Sequence, residues 1–351
     1  MSRLVVTAIG PASSIQDGGR PGSQRYGLTP GGGIDPLALA AANALAGNAP
    51  FAPVIEVGPF GATFTAQGGA VCVALTGAAR PAAIGPRQIE MNRSATLQDG
   101  DRLTLGFARD GVFSYLAVAG GIAGEPMFGS FAVNARAGLG SPYPRPLQSG
   151  DTLELKDGGA RDDRMIDWPV AAAGPIRVVL GPQNDEFDDA MIALFLDSDW
   201  AISATSDRMG YRLEGPAIKH RHGHNIVSDG TVNGSIQVPG NGAPIVLMPD
   251  RGTSGGYPKI ATVISADLGR FGQTPAGRSF RFKAVTMEQA QAEARAFKAL
   301  LRSLPGRVQA DRSGGFDLDA LRSANVAGTA VSAVDAASWQ INPEPQLDNA
   351  P

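Results

Sequence analysis

The chain is poor in side chains that do chemistry unaided. Its 351 residues include one cysteine, Cys72, so no disulfide framework can form. Cys72 lies in the apolar run 70–75 and is expected in the core. There are three histidines and five lysines, and only Lys259 of the lysines lies in a glycine-rich loop. No apolar run approaches the roughly 18 residues of a membrane-spanning helix. The N-terminus, MSRLVVTAIG, lacks the apolar segment and small-residue cleavage site of a signal peptide. A cytoplasmic protein without a membrane partner is expected. The net charge of −3 gives no general field for a polyanion, which argues against nucleic acid but leaves room for an arginine-lined anion pocket. Also missing are a Walker-type phosphate loop, a G-x-G-x-x-G after a strand and a G-x-S-x-G nucleophile elbow. With no Met-Lys-Met biotinylation segment either, ATP or biotin chemistry would need machinery on another chain.

What is present is glycine, 46 residues of it, scattered between short apolar runs. That pattern reads as many turns between strands, a mainly β protein. Strands are expected at 4–9, 54–58, 62–65, 70–76, 89–91, 102–105, 114–119 and 152–155, then at 176–180, 235–238, 245–248, 260–265 and 278–283. A helix is expected after Asp35, with Pro36 at its first position and Gly47 at its end. The acidic run 184–189 should open a second helix, with acids in its first turn as the macrodipole prefers. Thr286 and Gln289 fit a capping box, followed by an apolar face on Ala290, Ala294, Phe297, Leu301 and Leu304. Beyond it a short helix is expected near 316–321, then an extended arm. The composition changes over 157–174, which reads as a surface linker between halves. The loose parallel between Asp17–Arg20 and Asp207–Arg212 suggests that the halves arose by duplication.

Candidate site residues concentrate in 234–267. There, two apolar strands lead into a loop of acid, arginine, hydroxyls and glycines, and a third strand follows. Gln237, Asp250, Tyr257 and Lys259 lie in this one strand-loop-strand unit, and glycines let its backbone approach a ligand. The alternative is a hairpin built for tight turns. Elsewhere, Arg20 either pairs with Asp17 or faces an anionic ligand. Asn43, in a helix interior, is either a polar contact or a site group. Glu56, in an apolar strand, must be paired or have a raised pKa. His220, His222 and His224 form an H-x-H-x-H run, read as a solvated turn rather than a metal site.

The ordered blocks SIQDGGRPGSQRYGLTPGGGID, AANALAGN, IEVGPFG, ALTGA, YLAVAGGI, SDRMGYRLEGP, SDGTVNGSIQVPGNGAPIVLMPD and TSGGYPKIATVISADL resemble the biotin-dependent carboxyltransferase-like family, over roughly 4–285. That family includes allophanate hydrolase subunit 2 proteins, the carboxyltransferase region of urea amidolyase, the C-type subunit of bacterial 5-oxoprolinase, and an antagonist of a sporulation kinase inhibitor. The resemblance implies two cyclophilin-like β-barrel domains, 1–160 and 175–285, with a helix and tail over 286–351 and few peripheral helices. It does not imply prolyl isomerase activity. Two blocks depart from the family pattern. Gly129-Ser130-Phe131-Ala132-Val133 stands where Gly-Ser-Arg-Ser-Thr is expected, and Gly252 stands where the loop should carry glutamine.

Three functions follow as expectations. The first is a 5-oxoprolinase-type subunit that opens 5-oxoproline to glutamate with ATP, alongside an allophanate hydrolase subunit 1-like partner. The second is carboxyl transfer from carboxybiotin, carried on a partner chain, to urea or a related amide. The third is a non-catalytic protein that sequesters a regulatory partner. A separate chain without fused carboxylase and carrier favours the first. In either enzyme reading Lys259, Asp250 and Tyr257 are the catalytic candidates. Arg20, Asn43, Gln237, Arg212 and Glu56 are the substrate-binding ones, for a small amide or lactam.

Overall fold

The computed structural model describes residues 2–156, 159–169 and 173–311. The glycine-punctuated runs form strands, almost all antiparallel, in two groups along the chain. In the first group, Arg3–Ile9, Ala62–Gln67, Arg102–Leu105 and Ala82–Ile84 are successive neighbours in a six-stranded sheet. Ala62–Gln67 alternates buried and half-buried residues, as a strand with one face in a core must. Opposite it, a seven-stranded sheet centres on Val54–Val57, Asp110–Val118 and Val71–Ala79. These strands are buried almost throughout, because one face meets the six-stranded sheet and the other meets a helix.

That helix, α1 (Pro36–Ala46), starts where Asp35 Oδ1 accepts the Leu37 and Ala38 N–H groups at 3.1 and 3.2 Å, and stops at Gly47 with φ 69°. Its alanines let the sheet approach on one side and the second half of the molecule on the other, so the helix is buried nearly all round. One apolar cluster runs from Leu39 and Leu45 through Tyr115 and Ala117 to Ile236, Val246, Met248 and Phe271. Each such leucine, fully buried, stabilises the fold by about 1.5–3 kcal/mol.

The second group is an eight-stranded sheet that includes Gly210–Glu214, Ile245–Leu247, Ser235–Gln237, Lys259–Val263 and Ile176–Leu180. Its two outermost strands, Ser279–Phe280 and Phe282–Ala284, are separated by a single residue, so the sheet curls into a nearly closed barrel. The expected mainly β architecture of barrel-like sheets with few helices is what the chain adopts, although α1 is buried rather than peripheral. Residues Met1–Ala310 pack as one compact unit.

Not every stretch follows the sequence reading: the strand expected at 89–91 is instead the end of Arg87–Ile89 and a turn before Arg93–Leu97. The expected linker, 157–174, contains the strand Arg164–Ile166, which pairs with Val308–Ala310. Ile166 is buried, and the partner strand arrives only after the chain has passed through the second half, so local composition could not reveal it. The acidic run forms a 3-10 turn, Asn184–Glu186, and the helix α2 begins later, at Asp189–Asp197. A short helix, α3 (Leu268–Gly272), follows the last long strand of the barrel. Then α4 (Met287–Ser303) starts with the expected box: Gln289 N–H donates to Thr286 Oγ1, and Thr286 N–H to Gln289 Oε1. The short helix expected near 316–321 lies outside the described residues. No helix among the described residues is long and apolar enough to cross a membrane.

Candidate functional site

Three backbone segments cross where the two halves meet. Arg20 N–H donates to the Pro30 carbonyl at 2.7 Å, Gly33 N–H to Asp17 at 3.1 Å, and Gly31 N–H to Pro249 at 3.2 Å. Gly32 has φ 95°, and a Cβ there would stand 3.1 Å from the Asp17 carbonyl oxygen, so glycine is what lets these strands of chain touch.

Arg208 reaches into this crossing from a turn. Asp207 Oδ1 accepts the Met209 N–H at 2.8 Å and shapes the turn, while Asp250 N–H holds the Arg208 carbonyl at 2.9 Å. The guanidinium then donates to Glu56 Oε1, to both oxygens of Asp250 at 3.0 and 3.3 Å, and to the Gly32 carbonyl at 2.6 Å. Glu56 is fully buried, and its other oxygen accepts the Ile34 N–H and the Tyr115 hydroxyl, both at 2.8 Å. Burial raises the Glu56 pKa, and the Arg208 charge with these hydrogen bonds opposes that only in part. Burial alone would lower the Arg208 pKa, but Asp250 and Glu56 overcome it and leave it raised. Two carboxylates therefore share one guanidinium, and it is the buried one, Glu56, whose hold on a proton is strengthened.

Arg208 and Asp250 line a cleft of about 790 Å³ between the halves, whose walls include Phe60, Phe113, Ile202 and Met209. Behind Asp250 lies Arg20, only 1% exposed. Its Nη2 donates to the Ala132 carbonyl, but Nε and Nη1 have no partner. The Asp17 carboxylate is taken by Gly19 N–H, the Ser130 hydroxyl and Phe131 N–H, so it makes no hydrogen bond to Arg20. Burial lowers the Arg20 pKa, with the charges of Asp17 and Asp250 acting against it. A Cβ on Gly31 would sit 3.1 Å from Arg20 Nη1 and 3.8 Å from Asp250 Oδ1, so a donor and an acceptor converge beside a position without a side chain.

The far end of the same loop carries a second constellation. Lys259 is 2% exposed, and its ammonium donates to Asp229 Oδ2 at 2.9 Å. Gln183 donates to the same oxygen at 3.2 Å, and these bonds, Lys259 first, hold the Asp229 carboxyl below its usual range. Gln237 pairs with Lys259 across adjacent strands, is buried, and leaves its Nε2 without a partner. Gln24 bridges the halves between these two ends, donating to the Thr231 and Thr253 carbonyls at 2.9 and 3.2 Å.

The structure thus joins Glu56, Asp250 and Arg20 at one end of the loop, and Lys259 and Gln237 at the other. Tyr257 is 39% exposed on the loop between them. Arg212 lies on an exposed position of Gly210–Glu214 and is not among the residues that line the cleft. Asn43 is fully buried, and its amide is engaged with the Pro50 and Ala52 carbonyls and with Asn48. His220 bonds the Val238 carbonyl and lies beside the Phe187 ring, while no group of three or more His, Cys, Asp or Glu among the described residues could hold a metal. Sequence reasoning missed Arg208, Tyr115, Gln183 and Asp229. Only Arg208 left a signal: a buried Glu56 demands a cation, and Arg208 sits in a glycine-containing turn.

The carboxyltransferase domain family, subdomain A and B, matches residues 26–284. The 5-oxoprolinase C-type subunit of Escherichia coli (strain K12) is 38% identical over 292 residues, covering 82% of this chain and 93% of that protein. The corresponding 5-oxoprolinase protein of Haemophilus influenzae is 34% identical, covering 79% of this chain and 90% of that one. Among solved structures, the urea carboxylase of Kluyveromyces lactis matches with a TM-score of 0.79 at 25% identity, over 86% of this chain and 29% of that one.

Proposed function

The chain belongs to the carboxyltransferase subdomain A and B family, and from that premise we propose that it is the C-type subunit of a 5-oxoprolinase. It would open the cyclic amide of 5-oxoproline to glutamate with ATP, acting together with an allophanate hydrolase subunit 1-like partner. The observation that carries this reading is the 38% identity that extends over 93% of the Escherichia coli protein.

The cleft chemistry supports it. Ring opening adds water across the amide C–N bond: the oxygen goes to the carbonyl carbon and a proton to the departing nitrogen. Asp250 lines the cleft, so its carboxyl group is available to take and return that proton, while Glu56, buried behind Arg208, helps hold the guanidinium that positions Asp250. Arg20, buried behind Asp250, adds a positive charge that favours negative charge developing on a carbonyl oxygen in the cleft. Lys259 and Gln237 supply cation and amide donors at the other end of the loop, with Tyr257 on the loop between. ATP is handled with or by the partner. A second reading, carboxyl transfer from carboxybiotin on a partner chain to an amide, is favoured by the likeness to urea carboxylase.

The test is reconstitution. This chain alone should hydrolyse little ATP. Added to its cognate partner, it should give 5-oxoproline-dependent ATP hydrolysis with glutamate as product. Robust turnover by the chain alone would overturn the two-component reading. Turnover of urea only with carboxybiotin would favour the second.

A further inference from the structure

Lys259, Gln237, Gly255 and Asp229 form a closed circuit. Lys259 and Gln237 are paired on adjacent strands, so their side chains leave the same face. The Gln237 amide lies against Gly255, where any Cβ would collide with Nε2. Gly255 pairs in turn with Asp229 in a two-residue ladder, Asp229–Gly230 with Ser254–Gly255. Asp229 closes the ring on the Lys259 ammonium at 2.9 Å. Gln183 adds a second side-chain donor to that carboxylate from outside the ring.

The members are unequally held. Lys259 is 2% exposed and Gln237 7%, both on strands of the barrel. Asp229 has a side chain 52% exposed and sits on the outer ladder. A buried ammonium thus donates to a carboxylate that solvent can readily receive, and a buried, unpartnered amide donor stands on the neighbouring strand.

We propose that Lys259, Gln237 and Gln183 form a carboxylate-binding subsite, filled in the free protein by the Asp229 side chain and taken over by the carboxylate of the substrate. The identification of that substrate as 5-oxoproline rests on the function proposed above; the subsite itself does not. The lactam 5-oxoproline carries a carboxylate, whereas 2-pyrrolidinone, with the same ring, carries none, so the subsite would select between them. Asp229 would also keep small anions out until its ladder moves. A placeholder that fills the site nine-tenths of the time weakens apparent binding about tenfold.

The experiment is isothermal titration of the full chain with acetate, 5-oxoproline and 2-pyrrolidinone. Asp229→Ala should bind acetate and 5-oxoproline about tenfold more tightly than wild type, with 2-pyrrolidinone unchanged. Lys259→Met should lose acetate and 5-oxoproline binding. Asp229→Asn, which keeps the shape of the ladder, serves if the alanine variant is poorly folded by circular dichroism, and should shift binding in the same direction. Tighter acetate binding without tighter 5-oxoproline binding would keep the subsite and remove 5-oxoproline as its ligand. If neither Asp229 variant gains affinity for either anion, or if Lys259→Met binds them as wild type does, the subsite is overturned.

Discussion

Arg208 donates to Glu56, 152 positions earlier in the chain, and so ties the turn before one barrel strand to the strand Val54–Val57 of the seven-stranded sheet. The same guanidinium holds Asp250, so one side chain contributes both to the lining of the cleft and to the join between the halves.

Arg208→Ala should therefore be costly twice. It leaves Glu56, fully buried, and Asp250 without their cation, which should cost about 3–5 kcal/mol of stability in urea denaturation. Arg208→Lys keeps the charge but not the fork that spans both carboxylates, and should recover only part of it. Partner-dependent turnover should fall in both. Full stability of the alanine variant would mean that the Glu56 carboxyl is neutral without Arg208.

Asn43 tests the opposite case. Its amide is committed to the Pro50 and Ala52 carbonyls in the loop after α1. Asn43→Ala should leave those acceptors unpaired and cost about 1–3 kcal/mol, with KM for the substrate unchanged. A raised KM in a variant of normal stability would return Asn43 to the substrate.

Asp267 sets a pH dependence of known sign. It accepts the Arg177 N–H at 2.8 Å and the Arg177 side chain at 2.7 and 3.0 Å, with Arg270 at 2.9 Å. Burial acts to raise its pKa, but the Arg177 hydrogen bonds and the two arginine charges outweigh burial and leave it lowered. A depressed carboxyl contributes stability that is fully present above its unfolded pKa, about 3.9, and lost as pH falls through the folded value. Asp267→Asn should cost about 2 kcal/mol at pH 7, less than a fully buried pair because both arginines are partly exposed. The gap from wild type should narrow below about pH 4. A gap constant down to pH 2 would show that the ion pair contributes nothing.

Local chemistry determined the elements. The apolar runs between glycines became strands because alternation and turn residues act over a few positions, and Asp35, Pro36 and Gly47 bounded α1 because caps act on the adjacent backbone. The capping box at Thr286 was readable for the same reason. That Gln237, Asp250 and Lys259 belong to one strand-loop-strand unit was also legible, since they are close in sequence. What the tertiary structure alone decided is which charges meet. Ion pairing depends on distance in space, and neither the partner of Glu56 nor that of Lys259 is encoded by spacing: Arg208 arrives from the other half, and Asp229 from a ladder 30 positions away. The strand Arg164–Ile166 escaped for the same reason, because its pairing partner comes from beyond α4, and a strand's existence depends on the backbone beside it.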